Sequence, residues 1–214
     1  MTQTDDLIDS LTKDLRPVPR HALVRLLIVA IVPGLIVSGL VLLFGFGLRR
    51  DILHAFAMPV FWAKSVYPAL LAISGFYALS RLARPDGSAG HSGWVAAMVF
   101  SLMLGLAWLQ LAASAPENHR ALILGRSALF CPWLVLIFAS PVLAGNVWFL
   151  RRMAPTRPML AGFVAGLAAG AAGAWVYSWF CNENGLAFVA IWYTLGIVLT
   201  GLVGAGLGCR LPRW

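Results

Sequence analysis

Charge is what this chain has least of. Only 11% of its 214 residues are Asp, Glu, Lys or Arg, where a water-soluble domain carries roughly 25%. With 60% hydrophobic residues and a mean hydropathy of +0.83, the chain cannot cover a water-facing surface. A soluble globular domain is excluded, and an integral membrane protein remains. The chain also lacks a basic stripe with interleaved aromatics outside its apolar runs. Its net charge of +8 therefore does not indicate direct nucleic-acid binding; the arginines sit at the ends of apolar runs, where phospholipid headgroups lie. Cysteine is scarce, with 3 residues and neither a CxxC pair nor zinc-type spacing. Finally, the apolar runs hold almost no ionisable residue, whereas ion pumps and proton-coupled transporters depend on such groups inside the membrane.

What is present is a series of six apolar runs, at about 26–46, 61–79, 94–112, 131–150, 159–180 and 186–207. Each is long enough to cross roughly 30 Å of hydrocarbon as a helix. The runs are continuous rather than alternating, which predicts helices and not strands. The first is too long for a signal-peptide core and follows Asp5, Asp6, Asp9 and Asp14, so it reads as a retained span. The expected fold is all-α: a polytopic membrane protein with six transmembrane helices, preceded by a short amphipathic N-terminal helix.

Loop charge sets the expected orientation. With the N-terminus inside, Lys13, Arg16, Arg20, Arg25, Arg81, Arg84, Arg151, Arg152, Arg157, Arg210 and Arg213 fall inside. Arg49, Arg50, Lys64, Arg120 and Arg126 fall outside. The excess of inner positive charge places both termini in the cytoplasm. Lys64, near the outer start of the second run, is expected to snorkel to the interface. Trp62, Trp94, Trp133, Trp148, Trp179 and Trp214 lie near run ends, as an interfacial belt does. Pro33, Pro68 and Pro141 fall inside spans and predict kinks. Gly162, Gly166 and Gly170, with Gly204 and Gly208, recur at four-residue spacing. Such stripes let backbones approach closely, either within the chain or across a homodimer.

Two cysteines are informative by position. Cys131 begins the fourth run and Cys181 ends the fifth; the two runs form a hairpin about the inner turn at 151–158. A rise of 1.5 Å per residue brings both sulfurs to a similar depth at the outer face. Helix axes about 8–10 Å apart permit the roughly 4.4–6.8 Å Cα separation of a disulfide. A disulfide there would close a loop of about 50 residues and stabilise the hairpin by roughly 4 kcal/mol. Three readings stand: a structural disulfide, a redox- or metal-responsive thiol pair, and two unrelated buried thiols. For metal, His119 or Glu183 would supply further ligands. Cys209, at the inner end of the sixth run, stays reduced in the cytoplasm.

The chain opens MTQTDDLIDSLTKDLRPVPR. Thr4 is a good helix N-cap, and Asp5 and Asp6 face the positive helix end. Leu7, Ile8, Leu11 and Leu15 form one apolar stripe; Asp9, Ser10, Lys13 and Asp14 form the other face. Pro17 and Pro19 end the helix. Membrane-surface helices carry Lys and Arg on their polar face. This acidic one better suits a protein groove with a basic rim; the alternative is a frayed tail or a helix packed on the protein's own inner loops.

The segment TDDLIDSLTKDLRPV, the run MLAGFVAGLAAGAAGAWVYSWFC and the terminal RLPRW resemble the NrsF-type family of bacterial membrane anti-sigma factors over essentially the whole chain. The resemblance implies a non-enzymatic regulator of the bacterial inner membrane, without a cofactor, whose partner is an extracytoplasmic-function sigma factor. It implies a sigma-binding cytoplasmic segment at 1–22, with Asp5, Asp6, Leu7, Ile8, Leu11 and Leu15 as the grip, ahead of a transmembrane domain at 23–214. It also implies that Cys131 and Cys181 sense heavy-metal or oxidative stress. The rival expectations are a quinone-linked membrane thiol oxidoreductase, weakened by the missing CxxC, and a small transporter, weakened by uncharged spans.

Overall fold

The computed structural model describes residues 22–210 apart from 48, 50, 85, 86, 88, 89 and 154. The opening helix expected from the sequence, with Asp5, Asp6, Leu7, Ile8, Leu11 and Leu15, lies outside the described residues. The described residues are mostly helical and include no strand. Helix α1 spans Ala22–Phe46 and widens to a π turn over Leu42–Phe46. A short α2 (Ile52–Ala55) precedes α3 (Pro59–Leu82) and α4 (Ser92–Ala112). The amphipathic α5 (Pro116–Leu124) is followed by α6 (Cys131–Met153), α7 (Pro158–Ser178) and α8 (Leu186–Cys209). Proline opens α3, α5 and α7, where its missing N–H has no helical partner to lose.

Five of these helices, α1, α4, α6, α7 and α8, are long and apolar enough to cross a membrane. The remaining expected span, the second run at 61–79, corresponds to α3. It has 24 residues, but Lys64, Ser65, Tyr67 and Ser74 dilute its apolar character. All four are buried in the protein, so these side chains point into the bundle.

α7 is the centre of the bundle and packs against α8, α6 and α3, while α1 covers α6 and α4 covers α3. Its Gly and Ala residues make this crowding feasible. A Cβ on Gly166 would lie 2.8 Å from Gly201 Cα, and one on Gly204 would lie 2.8 Å from Gly166 Cα. On another face, a Cβ on Gly173 would lie 2.8 Å from Ala139 Cα of α6. The two glycine stripes therefore meet each other inside one chain, backbone against backbone. They give no support to a homodimer, because the faces that would form it are covered. Gly105 on α4 meets nothing within 4 Å. Gly105→Ala should leave the melting temperature in detergent unchanged or raise stability by up to about 1 kcal/mol, through helix propensity alone.

Polar side chains pin the helices together. Ser38 Oγ on α1 donates to Phe138 O on α6 at 2.6 Å. Asn146 Nδ2 donates to Ala165 O on α7 at 2.9 Å, and Tyr67 and Thr194 share a hydroxyl bond of 2.7 Å between α3 and α8. Pro141 deprives Ile137 O of its helical donor; Ser140 Oγ supplies one at 2.8 Å.

Candidate functional site

A set of polar contacts gathers around the loop 179–185 that joins α7 to α8. Cys131 opens α6, its N–H donating to Ser127 O at 2.8 Å. Cys181 stands just past α7, its N–H donating to Tyr177 O at 3.0 Å. The structure brings the two into one buried cluster, with 0% and 3% of their surface exposed. Both are free thiols. The Tyr177 hydroxyl faces both sulfurs and Ser127. The Tyr193 hydroxyl is buried without a hydrogen-bond partner and faces Cys181. Tyr193 projects from a π turn over Val189–Tyr193, a local widening common at functional sites. The Tyr177 ring lies 5.4 Å from that of Tyr193 and 6.2 Å from that of Phe138, so aromatic carbon shields the thiols.

Lys64 departs from the sequence expectation. It does not snorkel: its side chain is 0% exposed. Nζ donates to Cys181 O and, at 3.1 Å, to Glu183 O. The loop folds over the start of α3 and offers carbonyls that lack helical donors. One Nζ satisfies two of them at once.

Other side chains latch the same loop. Glu183 Oε1 accepts from Arg126 N at 2.8 Å and from Ser127 Oγ at 3.3 Å. Gly125 makes room for that carboxylate: its φ is +52°, and a Cβ there would come within 2.6 Å of Glu183 Cδ. Gln110 on α4 donates to Asn184 O at 3.0 Å and accepts from Leu186 N at 2.7 Å. Trp192 Nε1 donates to Ile123 O at 3.0 Å.

Arg49, buried ahead of α2, donates its backbone N–H to Trp179 O at 3.5 Å. Its guanidinium grips Asp51 through Nε–Oδ1 at 2.6 Å and Nη2–Oδ2 at 2.8 Å, while Nη1 has no partner. The Arg49 hydrogen bonds hold the Asp51 carboxyl down at about 2, from an ordinary value of 3.8. A depressed carboxylate contributes stability above its unfolded value and loses it as pH falls through the folded one. The pair should therefore persist through neutral and mildly acidic pH, and the arginine–carboxylate vibrations in the infrared should change only near pH 2.

The metal set envisaged from the sequence does not form. Among the described residues no three of His, Cys, Asp or Glu come together as ligands. His119 Nε2 is instead turned to Leu111 O and Ser114 O, at 3.0 and 3.3 Å. Sequence reasoning found the cysteines but missed Gln110, Tyr177, Tyr193 and the true position of Lys64. The available signal was rarity: each is a polar group in or beside an otherwise apolar run.

A family model described as "Negative regulator of sigma F" (NrsF) matches residues 11–214. It begins at Leu11, so Asp5, Asp6, Leu7 and Ile8 precede it. The chain is 40% identical over 219 residues to the anti-sigma-F factor NrsF of Caulobacter vibrioides, spanning 99% of this chain and 100% of that protein. It is 34% identical over 215 residues to the probable anti-sigma-F factor NrsF of Azospira oryzae, with the same two shares covered. No solved structure matches it.

Proposed function

The chain belongs to the family of negative regulators of sigma F, and from that membership we propose that it is an anti-sigma factor embedded in the bacterial inner membrane. It holds a sigma factor of the extracytoplasmic-function class away from RNA polymerase, and it is not an enzyme. The observation that carries this reading is end-to-end similarity to two proteins named anti-sigma-F factors. In this reading α3 is a sixth span, both termini are cytoplasmic, and the segment 1–22 grips the sigma factor with its Leu7, Ile8, Leu11 and Leu15 stripe and the acidic Asp5 and Asp6.

Cys131 and Cys181 sense heavy-metal or oxidative stress on the periplasmic side. Their shared burial, with Cys181 inside the latched loop 179–185 and Cys131 at the start of α6, supports this role: with almost no free surface at either sulfur, a bulky adduct there displaces the loop, α6 or α7. Release of the sigma factor follows only if the altered membrane domain binds it more weakly than the resting one, since a change without differential affinity shifts nothing.

The test is to purify the tagged protein from its own unstressed membranes in mild detergent and identify what accompanies it. A sigma factor is expected; its absence there would sink the anti-sigma reading. Replacing both Cys131 and Cys181 with Ser should leave sigma-factor retention intact and reduce the stress-induced rise of a sigma-dependent reporter by about tenfold or more, the scale of a coupling free energy of 1–3 kcal/mol. An unchanged rise would remove the sensing half alone.

A further inference from the structure

The end of the bundle opposite the cysteine loop has a one-sided charge. Arg151 and Arg152 lie in the last turn of α6, Arg157 caps the start of α7 and Arg210 caps the end of α8. The carboxylates among the described residues are Asp51, Glu117 and Glu183. They stand ahead of α2, on α5 and in the loop 179–185, all toward the other end. Among the described residues, no carboxylate pairs with Arg157.

At this basic end an open groove of about 500 Å³ runs between α7 and α8, within the roughly 300–1,000 Å³ of small-molecule sites. The backbone packing of the two helices creates it. A Cβ on Gly208 would stand 3.1 Å from Gly162 Cα, so the helices touch there without large side chains to fill the valley beside the contact. Ala205 forms the floor, Leu160 and Phe163 the α7 wall, and Leu202 and Cys209 the α8 wall. Leu202, Ala205 and Cys209 follow one another at spacings of three and four, so they share a helix face. They cover about 10 Å along the axis. Arg157 lines the groove where α7 begins.

The groove is thus apolar along its length and cationic at its mouth, where both helices leave the hydrocarbon. That is the polarity of an anionic amphiphile in reverse. We propose that the groove binds an anionic diacyl phospholipid. One acyl chain lies along Phe163, Leu202 and Ala205, and the phosphate sits on Arg157, with Arg210 adding positive charge at the end of α8. Basic pockets between spans hold anionic headgroups, and a guanidinium matches two phosphate oxygens at once. A second copy of the chain fits less well. In a two-fold pair this surface meets itself, and Arg157 would face Arg157 with no described carboxylate to offset them. Lipid binding requires only that α7 and α8 cross the bilayer; it needs no sigma factor and no sensing by Cys131 and Cys181.

Cys209 is an exposed free thiol inside the groove and reports its occupancy. The full chain is placed in nanodiscs of dioleoyl phosphatidylcholine, with or without dioleoyl phosphatidylglycerol, which has the same acyl chains and a net negative headgroup. N-ethylmaleimide adds the sulfur and its proton across the reagent's double bond, and peptide mapping gives the rate at Cys209. Native mass in mild detergent counts the lipid each chain retains. Phosphatidylglycerol is expected to slow Cys209 about tenfold and to be retained, one per chain, about tenfold more tightly than phosphatidylcholine. The difference should narrow at high salt. Arg157→Gln should remove most of the preference for the anionic lipid. Ala205→Leu, which fills the floor, should weaken retention of both lipids. Glycerol 3-phosphate, a phosphate without acyl chains, should leave the Cys209 rate unchanged.

Equal retention of the two lipids, or a Cys209 rate that ignores phosphatidylglycerol, would overturn the site. So would protection of Cys209 by glycerol 3-phosphate, which would make it a site for soluble anions. A slow Cys209 in every lipid, with the mass of two chains, would give the groove to a second copy and overturn it likewise. These comparisons use the unaltered chain, so they decide the matter even if a variant does not fold. An Arg157→Gln protein that folds and keeps the full preference would overturn the part given to Arg157.

Discussion

A protein carrying Leu7→Asp and Leu11→Asp should retain its sigma factor at least 100-fold more weakly than the unaltered chain. Four aliphatic side chains on one stripe contribute on the order of 6–12 kcal/mol gross when buried in a groove. Ordering a short helix and losing translational freedom cancel much of that. The net affinity is thus a small remainder of large terms, and losing two of the four side chains removes most of it. Each new carboxylate must also be desolvated in an apolar groove, a further penalty of several kcal/mol unless the complex opens. Neutralising the rim with Asp5→Asn and Asp6→Asn should act differently. Exposed charges contribute about 0–1 kcal/mol each and are screened by salt, so the expected loss is a few-fold and fades at high ionic strength. Titrating the purified sigma factor against the nanodisc-embedded proteins reads both effects. Undiminished binding by the Leu pair variant would move the docking site out of the opening segment.

Gly166→Leu should abolish the folded state. Its Cβ would stand 2.8 Å from Gly201 Cα and 3.0 Å from Thr200 C, so the obstacle is backbone, which cannot rotate aside. Overpacking a core usually costs about 1–3 kcal/mol when side chains can adjust. Here α7 and α8 must separate along their whole contact, and the loss should exceed that range. The expected result is a protein absent from the monodisperse peak after detergent extraction. Gly201→Ala is the informative contrast. Its Cβ would meet Leu167 Cδ2 at 2.8 Å and Phe163 Cε2 at 3.0 Å, both side-chain atoms with room to rotate. It should lower the melting temperature by a few degrees only. A folded, stable Gly166→Leu protein would mean that the α7–α8 contact is looser than described.

Hydropathy made the helices readable from sequence, because a long uncharged run has few other uses in a protein. It also placed Cys131 and Cys181 at one end of a hairpin, since helical rise converts residue number into depth. Lys64 was misread because sequence shows how deep a residue lies along a helix and not what lies over it. Its partners at 181 and 183 are 117 and 119 residues away, and nothing local announces them. The glycine stripes were legible as close-approach surfaces, but self-contact and contact with a second copy look alike until the fold pairs Gly162 with Gly208. The short α5 escaped notice because PENHRALIL has neither the length nor the apolar content of a span. The π turn that aims Tyr193 has no sequence signature in VAIWY. Both features lie against the cysteine loop, so the least readable parts of the chain adjoin the proposed site.

Backbone-to-backbone packing of α7 on α8 also governs how motion travels. Helices separated by long side chains can slide, because the side chains between them flex. Two helices in contact through Gly166, Gly201 and Gly204 have no such cushion and translate as one stiff rod. At 1.5 Å per residue the 21 residues of α7 extend about 30 Å. In the proposed sensing role, a displacement at its Cys181 end is carried along the helix to Pro158, at its opposite end. In that role α7 acts as a pushrod whose input end is the loop that Lys64 holds.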